Sequence, residues 1–293
     1  MATRYFSERE RGDPERDEPE IGDRFWGGFV CEVQALLSQG ALEKFAESCP
    51  DGGLVAQADG VAVGHTFRAH LDIDWPLSSA TTPVTLDILD AVEFFGRFVA
   101  VPVNLSVHSY FRHNDVGGFD REHGLTSYRE AINLLFRRCR HPFMLDANDP
   151  PAVQRIPPAG LRELFDSGLA PSGDDQLDEL LRVTRGKFLS PNAATRRESL
   201  EQLWDAFERV KTILPGDKQA SVQKLLVLAC SEPVMSDRLN AEMRALTAIG
   251  NDFRIRHHET DKTEIQASEH VDYLYHRMYA LLVMLVRALR KGP

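Results

Sequence analysis

Apolar residues first recur at helical spacing over residues 25–37, with Gly40 placed to end the helix. LVAQA at 54–58 then leads into Asp59-Gly60 and VAVGHTFRAHLDIDW. A two-residue Asp-Gly turn between alternating segments predicts a β-hairpin. Residues 83–99 predict a second helix, with Leu86, Leu89, Val92 and Phe95 on one face and Pro83 or Thr85 near its start. A third is expected over 127–138, after a loop rich in Gly and Asp. HPFMLDANDPPAVQRIP at 141–157 reads as two short strands around a proline-containing turn.

After Pro158 the pattern becomes helix after helix, over 160–167, 174–188, 193–214, 218–230, 235–250 and 268–290. Ser190-Pro191-Asn192 and Pro215-Gly216-Asp217 are breaks, Pro233 separates two helices, and Gly250 reads as a C-cap. Within 193–214, Leu200, Leu203, Trp204, Phe207, Val210 and Leu214 form an apolar stripe beside Glu201, Asp205 and Glu208. Residues 1–21 mix Arg and Glu with Pro and Gly and hold almost nothing to bury, so they read as a disordered arm. The expected organisation is mainly α: the arm, a mixed α/β domain over 22–160, and a helical bundle over 161–293.

Composition narrows the class. With 43% hydrophobic and 27% charged residues in 293, the chain reads as globular. The longest apolar run, Met278 to Val286, lies between Arg277 and Arg287 and is about half of what a bilayer span needs. The charged N-terminus lacks the apolar core of a secretory signal, so no membrane and a cytoplasmic location are expected. Cys31, Cys49, Cys139 and Cys230 form no CxxC pair and suit a reduced compartment. A net charge of -10 argues against a dedicated duplex-DNA binder while leaving room for local basic patches. The sequence holds no GxxxxGK[ST], no GxGxxG after a strand, no HExxH and no GxSxG, so the chemistries built on them lack their usual parts.

SPNAATRRESLEQLWDAFERVKTIL, KQASVQKLL, LTAIGNDFRIRHHETDK and VDYLYHRMYALLVMLVRAL together resemble the C-terminal region of AbiJ-like abortive-infection proteins, which carry a HEPN-type helical domain. HSYFRHNDVGGFDREHGLTSYREAINLLFRRCRHPFML and VQRIPPAGL resemble their N-terminal module, so the likeness spans residues 25–290. It implies a HEPN-type, metal-independent endoribonuclease effector of anti-phage defence. RNA, tRNA included, would be its partner, and a second protein would neutralise or sense it. The alternative is a non-catalytic RNA-binding or dimerisation module of a defence or toxin-antitoxin system. HEPN ribonucleases carry an Arg, a polar neighbour, and a His five to seven positions after the Arg. Here Arg256 and His257 supply the first two, but Asp261, Lys262 and Thr263 stand where the His would be.

Cutting RNA without a metal needs a base for the 2'-OH, an acid for the leaving 5'-oxygen and a cation facing the phosphorus. Arg256, His257 and His258 supply those types, because histidine titrates near neutrality and Arg presents a planar fork to phosphate. Arg254 and Lys262 are expected to contact the RNA backbone. The competing reading of the stretch is a solvated connector paired with Glu259 and Asp261. Glu208 and Lys211 form a second candidate RNA-binding pair, or a surface ion pair worth a few tenths of a kcal/mol. Arg137, Arg138 and Arg140, with His141, make the best phosphate-contacting run of the N-terminal domain, though such a run also suits a helix end.

His108, His113 and His123 with Asp115 and Asp120 fit no defined metal spacing, and neither metal nor cofactor is expected. His270 and His276 read as interface or core-edge residues. Val271, Leu274, Tyr275, Met278, Leu281, Leu282, Leu285 and Leu289 give the final helix more apolar surface than one face of a small bundle needs. A homodimer through the C-terminal helices is therefore expected.

Overall fold

The computed structural model describes residues 4–168, 171–253, 255 and 263–291. The chain is mainly helical and divides into two compact units, Met1–Arg155 and Ile156–Pro293. Among the described residues no helix is long and apolar enough to cross a membrane.

The first unit runs α1 (Phe6–Arg11), α2 (Asp23–Ser38), β1 (Ala46–Ser48), β2 (Leu54–Ala58), α3 (Gly60–His70), α4 (Thr85–Phe98), β3 (Val101–Val103), β4 (Ser106–His108), β5 (His113–Val116), β6 (Gly118–Asp120), α5 (Arg121–Arg138), β7 (Phe143–Leu145) and β8 (Val153–Arg155). An antiparallel sheet has the order β1-β2-β5-β4, while β3 pairs with β6 and β7 with β8. The core is aromatic: Phe25 and Phe29 of α2, Phe67 of α3, Phe95 of α4 and Phe136 of α5 are fully buried. Phe25 stacks on Phe136 at 4.6 Å between ring centroids. Each such side chain contributes about 1.5–3 kcal/mol by leaving water, so these contacts fix how the helices of this unit pack.

The expected Asp-Gly turn and the expected disordered arm both change. Asp59-Gly60 is no hairpin turn: the Asp59 carboxylate accepts from the backbone N–H groups of Val61 and Ala62, which makes it the N-cap of α3. Val63, Gly64 and Phe67 then bury one helical face, a periodicity that VAVGHTF carries alongside its alternation. The arm also has structure from Arg4 onward. Glu8 of α1 is buried, takes a hydrogen bond from the Tyr5 backbone N–H at 2.9 Å, and pairs with Arg137 and Arg138. Composition gave no sign of this, because the partners are charges more than a hundred residues away.

The second unit is α6 (Ala159–Asp166), α7 (Asp175–Phe188), α8 (Ala193–Val210), α9 (Lys218–Ala229), α10 (Pro233–Asp252) and α11 (Ser268–Lys291). Asp174, Asn192 and Asp217 cap α7, α8 and α9 by accepting from first-turn N–H groups. The apolar stripe of α11 lies inside this unit: Tyr275, Met278, Leu282 and Leu285 are fully buried against α8 and its neighbours. That packing uses the surface from which a dimer was expected. Gly250 does not end its helix, since α10 continues to Asp252.

Candidate functional site

The C-terminal end of α8 builds a polar cluster. Its apolar face buries Trp204 and Phe207, which leaves Glu208 and Lys211 one turn on at the edge of the core. Lys211 is only 4% exposed, and its ammonium pairs with Glu208, donates to Thr247 Oγ1 at 3.0 Å and lies 4.3 Å from the Phe207 ring centroid. The other Glu208 oxygen takes the Lys218 ammonium at 2.6 Å. Burial pushes the Glu208 carboxyl up, but hydrogen bonds and charge from the two lysines outweigh it and hold the group below the ordinary range. The expected Glu208 and Lys211 pair is thus joined by Lys218 and Thr247, which came unforeseen because they sit on other helices.

A cleft of about 380 Å³ opens beside this cluster, lined by Lys211, Lys218, Gln219, Asn240, Arg244 and Thr247. From Thr247 the axis of α10 runs about 9 Å, at roughly 1.5 Å per residue, to Phe253. Arg254, Arg256, His257, His258 and Lys262, the expected chemistry-bearing cluster, lie outside the described residues. The flanks of that stretch are described. Phe253 and Thr263 form an isolated parallel β-bridge, and Ile255 is buried in the helical core. Arg197 pairs with Glu264 and Arg196 donates to Ser268, so the N-terminal part of α8 holds the entry to α11. A second cleft, about 500 Å³, lies at these flanks and is lined by Ile249, Phe253, Thr263, Gln266, His270 and Tyr273. His270 is exposed and His276 half-buried.

In the first unit the basic run is occupied by the chain's own acids. Arg137 and Arg138 meet Glu8, Arg140 meets Asp17 at 2.6 Å, and His141 Nδ1 lies 2.8 Å from the Glu18 carbonyl oxygen. Burial lowers the pKa of His141, which favours its neutral form. These residues were expected to contact phosphate, but the folded arm already supplies their counter-charges.

The loop histidines divide into two groups. His108, His113 and Asp115 converge, and Cys49 joins them. Asp120 and His123 stand apart, the Asp120 carboxylate capping α5 by accepting from the His123 N–H at 2.9 Å. That cap also starts α5 at Arg121, ahead of the expected Ser127, and the Asp before a helical run was the available signal. Compared with protein-family models, with curated proteins and with solved structures, the chain matches none.

Proposed function

We propose that the helical unit acts on RNA as a HEPN-type endoribonuclease in anti-phage defence. The cleft between α8, α9 and α10 would hold phosphate, and Arg256, His257 and His258 would perform the metal-independent cut. One observation carries this reading: Lys211, Lys218 and Arg244 bring three cations to one cleft, the first two sharing the Glu208 carboxylate, with the side-chain amides of Gln219 and Asn240 beside them. Lys211 is pinned by Glu208 and Thr247, so little freedom is left to lose when it meets an anion. The cleft begins about 9 Å from the end of the helix that leads into the RNA-cutting candidates.

The reaction balances with these groups alone. One imidazole takes the 2'-OH proton, the 2'-oxygen attacks phosphorus, and the bond to the 5'-oxygen breaks as a protonated imidazole returns a proton to it. The products are a 2',3'-cyclic phosphate and a free 5'-OH, with Arg256 facing the charge on the phosphoryl oxygens. A second reading, RNA binding without cleavage, is favoured by one feature. Asp261, Lys262 and Thr263 occupy the positions where the resembled motif carries its histidine.

The test is incubation of the purified chain with total RNA and with tRNA, without added divalent cation. Discrete fragments ending in cyclic phosphate are expected, with Arg256→Ala and His257→Ala each slower by about a hundredfold or more. Lys218→Ala with Arg244→Ala should weaken binding to all RNAs and lower the salt dependence by roughly two phosphate contacts. RNA binding without cleavage by the parent establishes the second reading. Equal cleavage by every variant removes the catalytic assignment, and failure to bind RNA removes both readings.

A further inference from the structure

We propose that Cys49, His108, His113 and Asp115 form a structural zinc site in the N-terminal unit. The four residues each offer one ligand atom, and these atoms lie within 4.8 Å of one another. Cys49 Sγ is 3.5 Å from His108 Nδ1, His108 Nδ1 is 3.2 Å from Asp115 Oδ2, and His113 Nε2 is 3.0 Å from Asp115 Oδ1. Tetrahedral zinc with bonds of about 2.0–2.3 Å separates its ligands by about 3.3–3.6 Å, so the cluster is close to the size of the cage. One thiolate, two imidazoles and one carboxylate are a borderline-soft donor set that suits Zn²⁺ and is unlike the all-oxygen shells of Ca²⁺ and Mg²⁺.

The backbone assembles these ligands from three segments. β4 and β5 pair with His108 directly opposite His113, and the two-residue period of β5 puts Asp115 on the same face as His113. Asp115 is also the register partner of Val55 on β2, the neighbour of β1. Cys49 follows β1 and opens a tight turn in which its N–H donates to the Gly53 carbonyl and its carbonyl accepts from the Gly52 N–H. Gly52 and Gly53 have φ of +92° and +93°, left-handed values that favour glycine there. The turn thus returns the chain into β2 with the thiol buried against the imidazoles.

The surroundings fit a metal site as well. Asp51 Oδ2 lies 3.5 Å from His108 Nε2, the carboxylate-imidazole arrangement that orients a ligating histidine and leaves its other nitrogen for the metal. The Phe111 ring packs edge-on to His108 at 5.0 Å and parallel to His113 at 5.8 Å, which restricts both rings. Four protein donors complete a tetrahedron and leave no position for substrate. The ion would therefore clamp the β1-β2-β5-β4 sheet and take no part in cutting RNA.

The test strips the full chain of metal and titrates it with Zn²⁺ against a chromophoric chelator, and separately with Co²⁺. One equivalent per chain is expected, with the visible bands of tetrahedral Co²⁺ and a thiolate-to-metal charge-transfer band. Cys49→Ser should lose the charge-transfer band, while Cys31→Ser, at an exposed thiol, should keep it. His113→Ala should lose binding at least a hundredfold. Asp51→Asn, at an exposed position that leaves the sheet untouched, should weaken it about tenfold or more. Absence of stoichiometric binding by the parent, or binding indifferent to Cys49→Ser, His113→Ala and Asp51→Asn, overturns the proposal and leaves a cluster of His-Asp ion pairs.

Discussion

Gly250→Ala and Gly186→Ala make the same chemical change in two helices, and the structure gives them opposite signs. Alanine favours a helix interior over glycine by about 0.5–1 kcal/mol, so propensity alone predicts that both variants gain stability. At Gly186 in α7 an added Cβ meets nothing within 4 Å, and the gain should appear. At Gly250 the added Cβ would lie 2.5 Å from Cδ1 of Trp204 and closer still to its Nε1. The indole is buried and its Nε1–H donates to the Leu246 carbonyl at 3.1 Å, so it cannot step aside without losing that bond. Overpacking of this kind costs about 1–3 kcal/mol and the displaced hydrogen bond about 1 more. Subtracting the propensity gain leaves Gly250→Ala about 1–3 kcal/mol less stable, a loss readable as a lower urea midpoint at unchanged slope. A Gly250→Ala protein as stable as the parent, or as improved as Gly186→Ala, would refute the packing argument.

Asp174 caps α7 and pairs with Arg209, whose hydrogen bond holds its carboxyl below the ordinary range. A depressed acid contributes stability above its unfolded pKa and loses it as pH falls through the folded value. Asp174→Asn, which keeps a capping oxygen, should therefore destabilise by at most about 1 kcal/mol at pH 7, and the difference should shrink below about pH 4. Acid unfolding curves that stay parallel would contradict this. Glu8→Gln removes the charge that meets Arg137 and Arg138, and trypsin should then cut faster after Arg9 and Arg11. Unchanged digestion would mean that Asp17 and the backbone contacts hold the arm unaided.

The helices of the second unit were legible because each buries a face at a period the sequence repeats, whereas α1 and α3 were not. α7, α8, α9 and α11 start within a residue of their expected positions, three of them behind a capping Asp or Asn. β7 and β8 were also readable, being short apolar runs on either side of a proline turn. The β1-β2-β5-β4 sheet was not, since its strands are three to five residues long and pair across up to about sixty positions. The same non-locality hid Cys49, which reaches His108 only through strand register. Gly250 misled for a different reason: its glycine answers a Trp204 contact, and no local pattern records a neighbour on another helix.

The bridge between Phe253 and Thr263 has a consequence for how this chain can vary. Because these two residues are paired with each other, and Glu264 and Ser268 are fastened to α8, the separation of the ends is set by the bundle and not by what runs between them. Closing a chain between fixed ends costs only about 0.6 kcal/mol more for each doubling of its length. Insertions after the buried Ile255 and before Thr263 should therefore leave the melting temperature of the helical unit nearly unchanged. Chain length after Ile255 can thus vary while the bundle that holds both ends stays as it is.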